Sequence, residues 1–435
     1  MIKKNFLLKV FIGLSFICFG LTNPVSAQVK GVEIHVVVSP DHEDWTYQEN
    51  KKCVFTIQVY KAQNLLKNVK INYELGPVMY PLVTKKNIVL KDGKLEVSGM
   101  MSEPGFLRCT VTAHVGDSYY KGLATAAYVP EKINAFAVCP EDFDDYWAHA
   151  ISEARKTSLE PMMVLLPERC TDKVNVYQVS FQNVRPGSRW YGILCMPKAP
   201  GKYPALLRVP GAGIRPYFGD TYLASKGAIV LEVGIHGIPV TMEQSYYDKL
   251  FYGALYHYWE INDNDRDAFY YNRVYLSVVR SVDFICSLPE YNRKSLGITG
   301  ASQGGALSIA GAALDKRITF LAAIHPAMCD LEAALHERAC GWPHYFYQQK
   351  NFDEMQLKAV RYYDTVNFAR RITVPGWYSW GYNDEVCSPT SMYAAYNSIT
   401  AEKEIHPYLE TGHYWYQEQY DAWNLWLCCQ MGLVK

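Results

Sequence analysis

The sequence predicts an α/β fold, a mostly parallel sheet with helices on both faces, preceded by a small all-β sandwich of immunoglobulin-like type. Three observations predict it. Residues 31–129 alternate apolar and polar side chains in short runs with no helical period. Beyond residue 140, buried-type strands alternate with long helices. At residues 295–305 a short apolar strand runs through Gly300-Ala301-Ser302-Gln303-Gly304 straight into a small-residue helix.

In chain order, residues 1–27 come first. They begin Met1-Ile2-Lys3-Lys4, continue as an apolar run over 6–21 and end in Val25-Ser26-Ala27. A basic start, a short apolar stretch and a small-x-small end form the pattern of a cleaved secretory signal, so the expected location is periplasmic or secreted. Lys9 interrupts the run, which argues against a membrane anchor, and Cys18 lacks the preceding small residue that a bacterial lipoprotein signal needs. No second apolar stretch is long enough to span a bilayer. Residues 28–130 then read as the sandwich, with strands over 53–60, 69–75, 105–115 and 119–128 and a hairpin turn at Asp92-Gly93. Cys53 and Cys109 fall on the inward phase of their strands, a placement compatible with an inter-sheet disulfide, whose formation stays open at this point.

Residues 131–139 form a linker of small and extended residues, and the composition changes at Pro140. Glu141, Asp142, Asp144 and Asp145 sit where a helix N-terminus favours acids, and that helix opens the 140–435 domain. Alternating runs at 174–181 and 189–196 predict an antiparallel hairpin. Buried-type strands are expected at 205–209, 228–233, 296–299, 320–324, 374–379 and 404–409, with helices at 267–287, 303–314 and 416–431. The helical, aromatic stretch 330–368 interrupts this rhythm and would form a cap near Ser302 if it packs above the sheet.

The strand, Gly-x-Ser-x-Gly and helix together are the nucleophile elbow of an α/β-hydrolase fold. The turn is so tight that only small residues fit at Gly300 and Gly304, and it holds the Ser302 hydroxyl at the carboxyl edge of the sheet. The N–H of Gln303, at the start of the helix, points into the same space and is a candidate oxyanion donor. The second donor is expected in the loop after the first main parallel strand, Val209-Pro210-Gly211-Ala212-Gly213, with the N–H of Ala212 foremost.

A serine hydroxyl needs an adjacent base, and the base needs a third group to fix its tautomer. In this fold the chain order is Ser, acid, His, with the last two on loops after later strands. Asp384 follows the strand at 374–379 and His413 follows the strand at 404–409, which makes them the candidate orienting acid and general base. Glu385 competes with Asp384. Among eleven histidines, His325, His406 and His236 compete with His413. His325 ends the strand after the elbow and His236 lies in the loop after 228–233, so both are candidate substrate-binding residues.

Bulk properties exclude other classes. The 435-residue chain allows two or three domains, and 49% hydrophobic residues suffice for packed cores. Lys plus Arg and Asp plus Glu both number 43, so no global field recruits nucleic acid. Neither Cys-x-x-Cys nor His-x-x-x-His spacing occurs to suggest a structural zinc site, and the mature chain keeps an odd number of cysteines, unlike a disulfide framework. No metal and no organic cofactor is expected. The 34 Tyr and 10 Trp side chains could stack on sugar rings, although each is individually more in keeping with packing.

Residues 140–430 also carry Tyr270-Tyr271-Asn272-Arg273-Val274, the elbow Gly300-Ala301-Ser302-Gln303-Gly304-Gly305, Met328-Cys329-Asp330, Tyr363-Asp364-Thr365-Val366-Asn367-Phe368, Cys387-Ser388-Pro389 and Ala394-Ala395-Tyr396-Asn397. In these stretches the chain resembles the acetyl xylan esterase and cephalosporin C deacetylase group, carbohydrate esterase family 7. The resemblance implies removal of acetyl groups from sugar hydroxyls by Ser302, Asp384 and His413, with oxyanion donors at Gln303 and Ala212. Two departures stand out. The family usually has Arg-Gly-Gln where this chain has Gly234-Ile235-His236-Gly237, and Glu after the catalytic His where this chain has Tyr414. They bear on the substrate pocket and on the family's oligomeric ring, so a homo-oligomer stays open. The expected substrate is an acetylated oligo- or polysaccharide. A broader carboxylesterase or peptidase on the same fold, or a carbohydrate-binding protein that has lost catalysis, are the alternatives.

Overall fold

The computed structural model describes residues 34–349 and 351–434, so the leader read over 1–27 lies outside the described residues. Two sheets occupy the N-terminal part, antiparallel except where Thr46–Tyr47 pairs in parallel with Ser118–Tyr128. In one, Cys53–Lys61 is flanked by Ile34–Pro40 on one side and by Lys94–Gly99 and Asn64–Leu65 on the other. The other runs Thr46–Tyr47, Ser118–Tyr128, Gly105–Val115, Val69–Pro77, Val83–Leu90 in spatial order. Alternation dictates the core: Cys53, Phe55, Ile57 and Val59 point inward from one sheet, and Cys109, Val111 and Ala113 from the other, all fully buried. Cys53 and Cys109 are free thiols in this core, so the disulfide left open by the sequence is not formed.

After a short 3-10 turn at Pro130–Lys132 the chain runs without regular structure to residue 139, and its backbone groups are met by side chains of the C-terminal part. Asp330 accepts from the N–H groups of Phe136 and Ala137, both at 2.8 Å, and the Asn397 amide donates to the carbonyls of Pro130 and Ile133, both at 2.9 Å.

A nine-stranded sheet organises the remainder, in the order Met162–Leu165, Val174–Gln182, Arg189–Pro197, Ile229–Val233, Tyr203–Arg208, Tyr291–Ala301, Phe320–Ile324, Gly376–Gly381, Lys403–Tyr408. The hairpin side is antiparallel, and the strands from Ile229–Val233 onward are parallel. Both faces are covered. Helices Tyr270–Ser287 and Gln303–Leu314 pack on one, Thr221–Ser225 and Gln417–Gln430 on the other. From Tyr203–Arg208 the chain winds first to one neighbour, Ile229–Val233, and later to the other, Tyr291–Ala301. That reversal opens a crevice at the carboxyl ends of the two strands, where α/β sheets bind ligands.

The anticipated strands and helices are present with shifted ends. Helix Gln244–Phe251 and edge strand Met162–Leu165 were not anticipated. The 330–368 stretch is only partly helical, with a 3-10 segment Leu331–His336 and short helices Glu354–Val360 and Thr365–Ala369. Rather than standing above the sheet, it packs beside the elbow helix Gln303–Leu314 and buries Tyr345, Phe346, Tyr363 and Phe368 in the main core.

Candidate active site

The elbow is enforced by close backbone approach. A Cβ on Gly300 would lie 2.4 Å from the Val209 carbonyl oxygen and 2.7 Å from the Gly304 carbonyl carbon, and one on Gly304 would lie 2.4 Å from the same Val209 oxygen. Between them Ser302 takes φ 60°, ψ −123°, a strained conformation for an L-residue, held by Ser302 N–H donating to Ile324 O at 2.8 Å and Ala327 N–H to Ser302 O at 3.0 Å. Gln303 opens the helix, so its N–H has no acceptor one turn back.

Residues 209–213 pass beside the serine. A Cβ on Gly211 would sit 3.7 Å from Ser302 Cβ, and Ala212 follows directly. The Gln303 side chain holds this loop. Its Nε2 donates to Pro210 O at 3.2 Å, and its Oε1 accepts from the hydroxyls of Tyr258 and Tyr271, each at 2.6 Å.

Asp384 is fully buried, in the loop after Gly376–Gly381. Its Oδ1 accepts from the N–H groups of Val386 and Cys387, at 2.8 and 2.9 Å, and its Oδ2 is 2.8 Å from His413 Nδ1. Burial alone would raise the carboxyl's pKa. The imidazoles of His325 and His413 facing it outweigh that effect and hold it well below the usual carboxylate range. Because Oδ2 only accepts, His413 carries its proton on Nδ1 and turns Nε2 away from the acid. The two loops approach closely: a Cβ on Gly381 would fall 1.9 Å from Thr411 O, the acceptor of the Asn383 N–H at 3.1 Å.

The structure separates the competitors. Glu385 turns outward to an ion pair with Lys121, and His406 pairs with Glu404 at 3.0 Å and stacks on Trp377. Neither reaches the elbow. His236 and His325, expected to meet substrate, are both buried. His236 is buried with both nitrogens engaged, Nδ1 2.6 Å from the Tyr270 hydroxyl and Nε2 3.1 Å from Gly213 O, so it supports the 209–213 loop. His325 is 2% exposed. Its Nδ1 faces Asp384 Oδ2 from 3.4 Å without a hydrogen bond, and its ring lies against His413 with centroids 5.2 Å apart. Burial lowers its pKa, with Asp384 acting in the opposite sense.

A cavity of about 640 Å³ opens beside the elbow, lined by Gly211, Gly300, Ala301, Tyr217, Phe218 and Trp415 among others. Sequence reasoning did not single out Tyr217, Phe218 or Trp415. Proximity of Trp415 to His413 in the chain was the available signal.

His325, Asp384 and His413 also bring three ligand atoms within 4.8 Å of one another. Here the carboxylate already serves His413, and two of the three side chains are sealed from solvent. No helix among the described residues is long and apolar enough to cross a membrane.

Residues 130–429 match the acetyl xylan esterase (AXE1) family. Acetyl esterase Axe7A of Xylanibacter ruminicola is 36% identical over 371 residues, spanning 84% of this chain and 83% of that protein. Among solved structures, the acetyl xylan esterase from Paenibacillus sp. R4 superposes with a TM-score of 0.60 at 24% identity, over 69% of this chain and 98% of its own. Acetyl xylan esterase 1 from Thermoanaerobacterium sp. JW/SL YS485 does so with 0.58 at 24% identity, over 70% and 98%. These structures share the α/β fold described above.

Proposed function

The chain belongs to the acetyl xylan esterase (AXE1) family, and from that premise we propose that it is a serine esterase that hydrolyses acetyl esters on carbohydrates through an acyl-enzyme. The observation that carries this reading is the 2.8 Å bond from His413 Nδ1 to a buried Asp384, on the loops beside the strained Ser302 elbow.

His413 Nε2 takes the Ser302 proton as Oγ attacks the acetyl carbonyl. Asp384 holds the imidazole in the required tautomer and stabilises its charged form. The developing oxyanion meets the N–H groups of Gln303 and Ala212 and the helix N-terminus. The imidazolium returns its proton to the departing sugar oxygen. A water activated by the same Nε2 then attacks the acetyl-serine and releases acetate. Every proton step in this mechanism is assigned to Ser302, His413 and water, so the proposal includes no metal or organic cofactor. The aromatic walls of the adjacent cavity suit a sugar ring.

The proposal extends to the chain's layout: an exported protein with an immunoglobulin-like sandwich over 28–130, a linker over 131–139 and the hydrolase domain over 140–435. Acetate release from acetylated xylan and from a small acetyl ester, with Ser302→Ala alongside, tests the chemistry. Both substrates should release acetate, and the variant should lose at least about 10⁴-fold in kcat. Full activity in Ser302→Ala would overturn the reading, and cleavage of peptide amides in preference to esters would replace it with a peptidase.

A further inference from the structure

The outer face of the second N-terminal sheet is built against the loop that carries Asp384. Along Gly105–Val115, alternation sends Leu107, Cys109 and Val111 into the sandwich core and Phe106, Arg108 and Thr110 to the opposite face. The register with Ser118–Tyr128 sets Thr125 across from Arg108, Leu123 across from Thr110 and Lys121 across from Thr112.

This patch meets residues 382–385 one after another. Arg108 Nη2 donates to Tyr382 O at 3.0 Å and to Asp384 O at 2.9 Å, while its Nε is anchored on Thr125 Oγ1 at 2.8 Å. The Asn383 amide donates to Leu123 O at 3.3 Å, Lys121 pairs with Glu385, and the Phe106 ring meets Tyr382 edge-on with centroids 5.0 Å apart. Burial lowers the guanidinium to about 10, with Glu385 and Asp384 acting in the opposite sense, so it remains charged at neutral pH. A charged donor shared between two carbonyls two residues apart fixes both peptide planes. Those planes set where the Asp384 side chain emerges.

We propose that Arg108 is a positioning residue for the catalytic acid, and that through it the N-terminal sheets are an integral brace of the active site rather than a spacer. The brace rests on the triad reading given above. Arg108 itself lies upstream of the region that matches the family. Its effect is exerted through the backbone of Tyr382 and Asp384, which hold the carboxylate at hydrogen-bond distance from His413.

The test uses the full chain and two readouts: the rate at which a fluorophosphonate labels Ser302, and kcat and KM on a small acetyl ester. Labelling depends on the triad and is indifferent to the sugar. Arg108→Met should slow labelling and lower kcat by at least about tenfold, since small misplacements of catalytic groups are costly, with KM changed less than about twofold. Arg108→Lys, which keeps the charge and one donor direction, should recover part of the loss. In an Asp384→Asn background Arg108→Met should cost less than about twofold, because the brace acts through a carboxylate that is no longer there.

Equal losses in both backgrounds, or unchanged rates with only a lower thermal midpoint, would overturn the proposal. Where Arg108→Met fails to fold, a folded Arg108→Lys with wild-type rates overturns it, and slowed rates in that variant support it. A wild-type protein that is not labelled removes the triad reading and the brace with it. A labelled wild-type that releases no acetate changes the substrate alone, and the labelling rates still decide the brace.

Discussion

The two sides of Ser302, the proposed nucleophile, are held in place by different means. On the oxyanion side, residues 209–213 are tied down from within the α/β part: by Gln303 with Tyr258 and Tyr271, by His236 at Gly213, and by the exposed Arg215, which donates to Gly211 O at 3.0 Å and Ala212 O at 3.1 Å. No partner here lies more than 93 residues away in the chain. On the acid side, residues 382–387 are held by a charged network in which Arg108 and Lys121 reach across 274 and 264 positions. The proposed oxyanion donors belong to backbone that must come close to the substrate, so that side is built from glycines and steric fit. The acid must be buried and charged at once, which requires cations and N–H groups gathered from wherever the fold can supply them.

The sharpest test of this contrast is Asp384→Asn. The amide keeps the size of the side chain but offers an N–H₂ where His413 Nδ1 needs an acceptor, favouring the wrong tautomer. We expect kcat to fall by about 10³–10⁴-fold with the fold intact, measured on a small acetyl ester beside circular dichroism. A loss below about tenfold would mean that the oxyanion side carries catalysis almost alone.

Gly304→Ala attacks the other side. The added methyl would press on the Val209 carbonyl at 2.4 Å and on Pro210 at 3.0 Å, the residues that begin the oxyanion loop. Neither contact is the end of a flexible side chain, so the loop or the elbow must move. The expected loss is about 10²–10³-fold in kcat, comparable to removing one oxyanion donor, together with a lower thermal midpoint. Unaltered kcat would show that the loop adapts, and would remove steric fit as the basis of this side.

The same contrast explains what could be read in advance. The elbow was legible because its requirements are local: a strand, two residues too crowded for a Cβ, and a helix. Asp384 and His413 were legible from chain order, since each follows a parallel strand. Glu385 stayed a competitor to Asp384 because what separates them, the burial of Asp384 against His413 and the outward ion pair of Glu385 with Lys121, belongs to the assembled fold. Alternation places Phe106 and Arg108 on one face of their strand, but nothing in a strand's pattern says what will cover that face. His325 was read as the end of the strand after the elbow and His236 as part of the loop after 228–233, while burial, which turns them toward Tyr270, Gly213 and Asp384, is a property of the assembled fold. Strand Met162–Leu165 escaped notice because an exposed apolar run between Pro161 and Pro167 has no alternation to reveal it.

The smallest expected effect concerns pH and falls on the His236 support of the 209–213 loop. Gly213 O can only accept, so His236 Nε2 must carry the proton and Nδ1 must accept from the Tyr270 hydroxyl, which leaves the ring neutral and fully bonded. Burial, aided by Arg273 and Arg215 and opposed by the Gly213 bond, lowers its pKa to about 4. The unfolded chain titrates near the ordinary value of about 6.5. Between these values the unfolded state binds the extra proton, so stability from this group is complete above about 6.5 and is lost as pH falls toward the folded value, by about 3 kcal/mol at most. His236→Gln should therefore flatten part of the decline in thermal midpoint between pH 7 and 4, narrowing the gap to wild type as the pH drops. At pH 7 it should cost less than about tenfold in kcat, since the oxyanion loop keeps its Gln303 anchor. Parallel midpoint curves for the two proteins would show that His236 takes up its proton alike in the folded and unfolded states, and a buried neutral imidazole would then not be what holds Gly213.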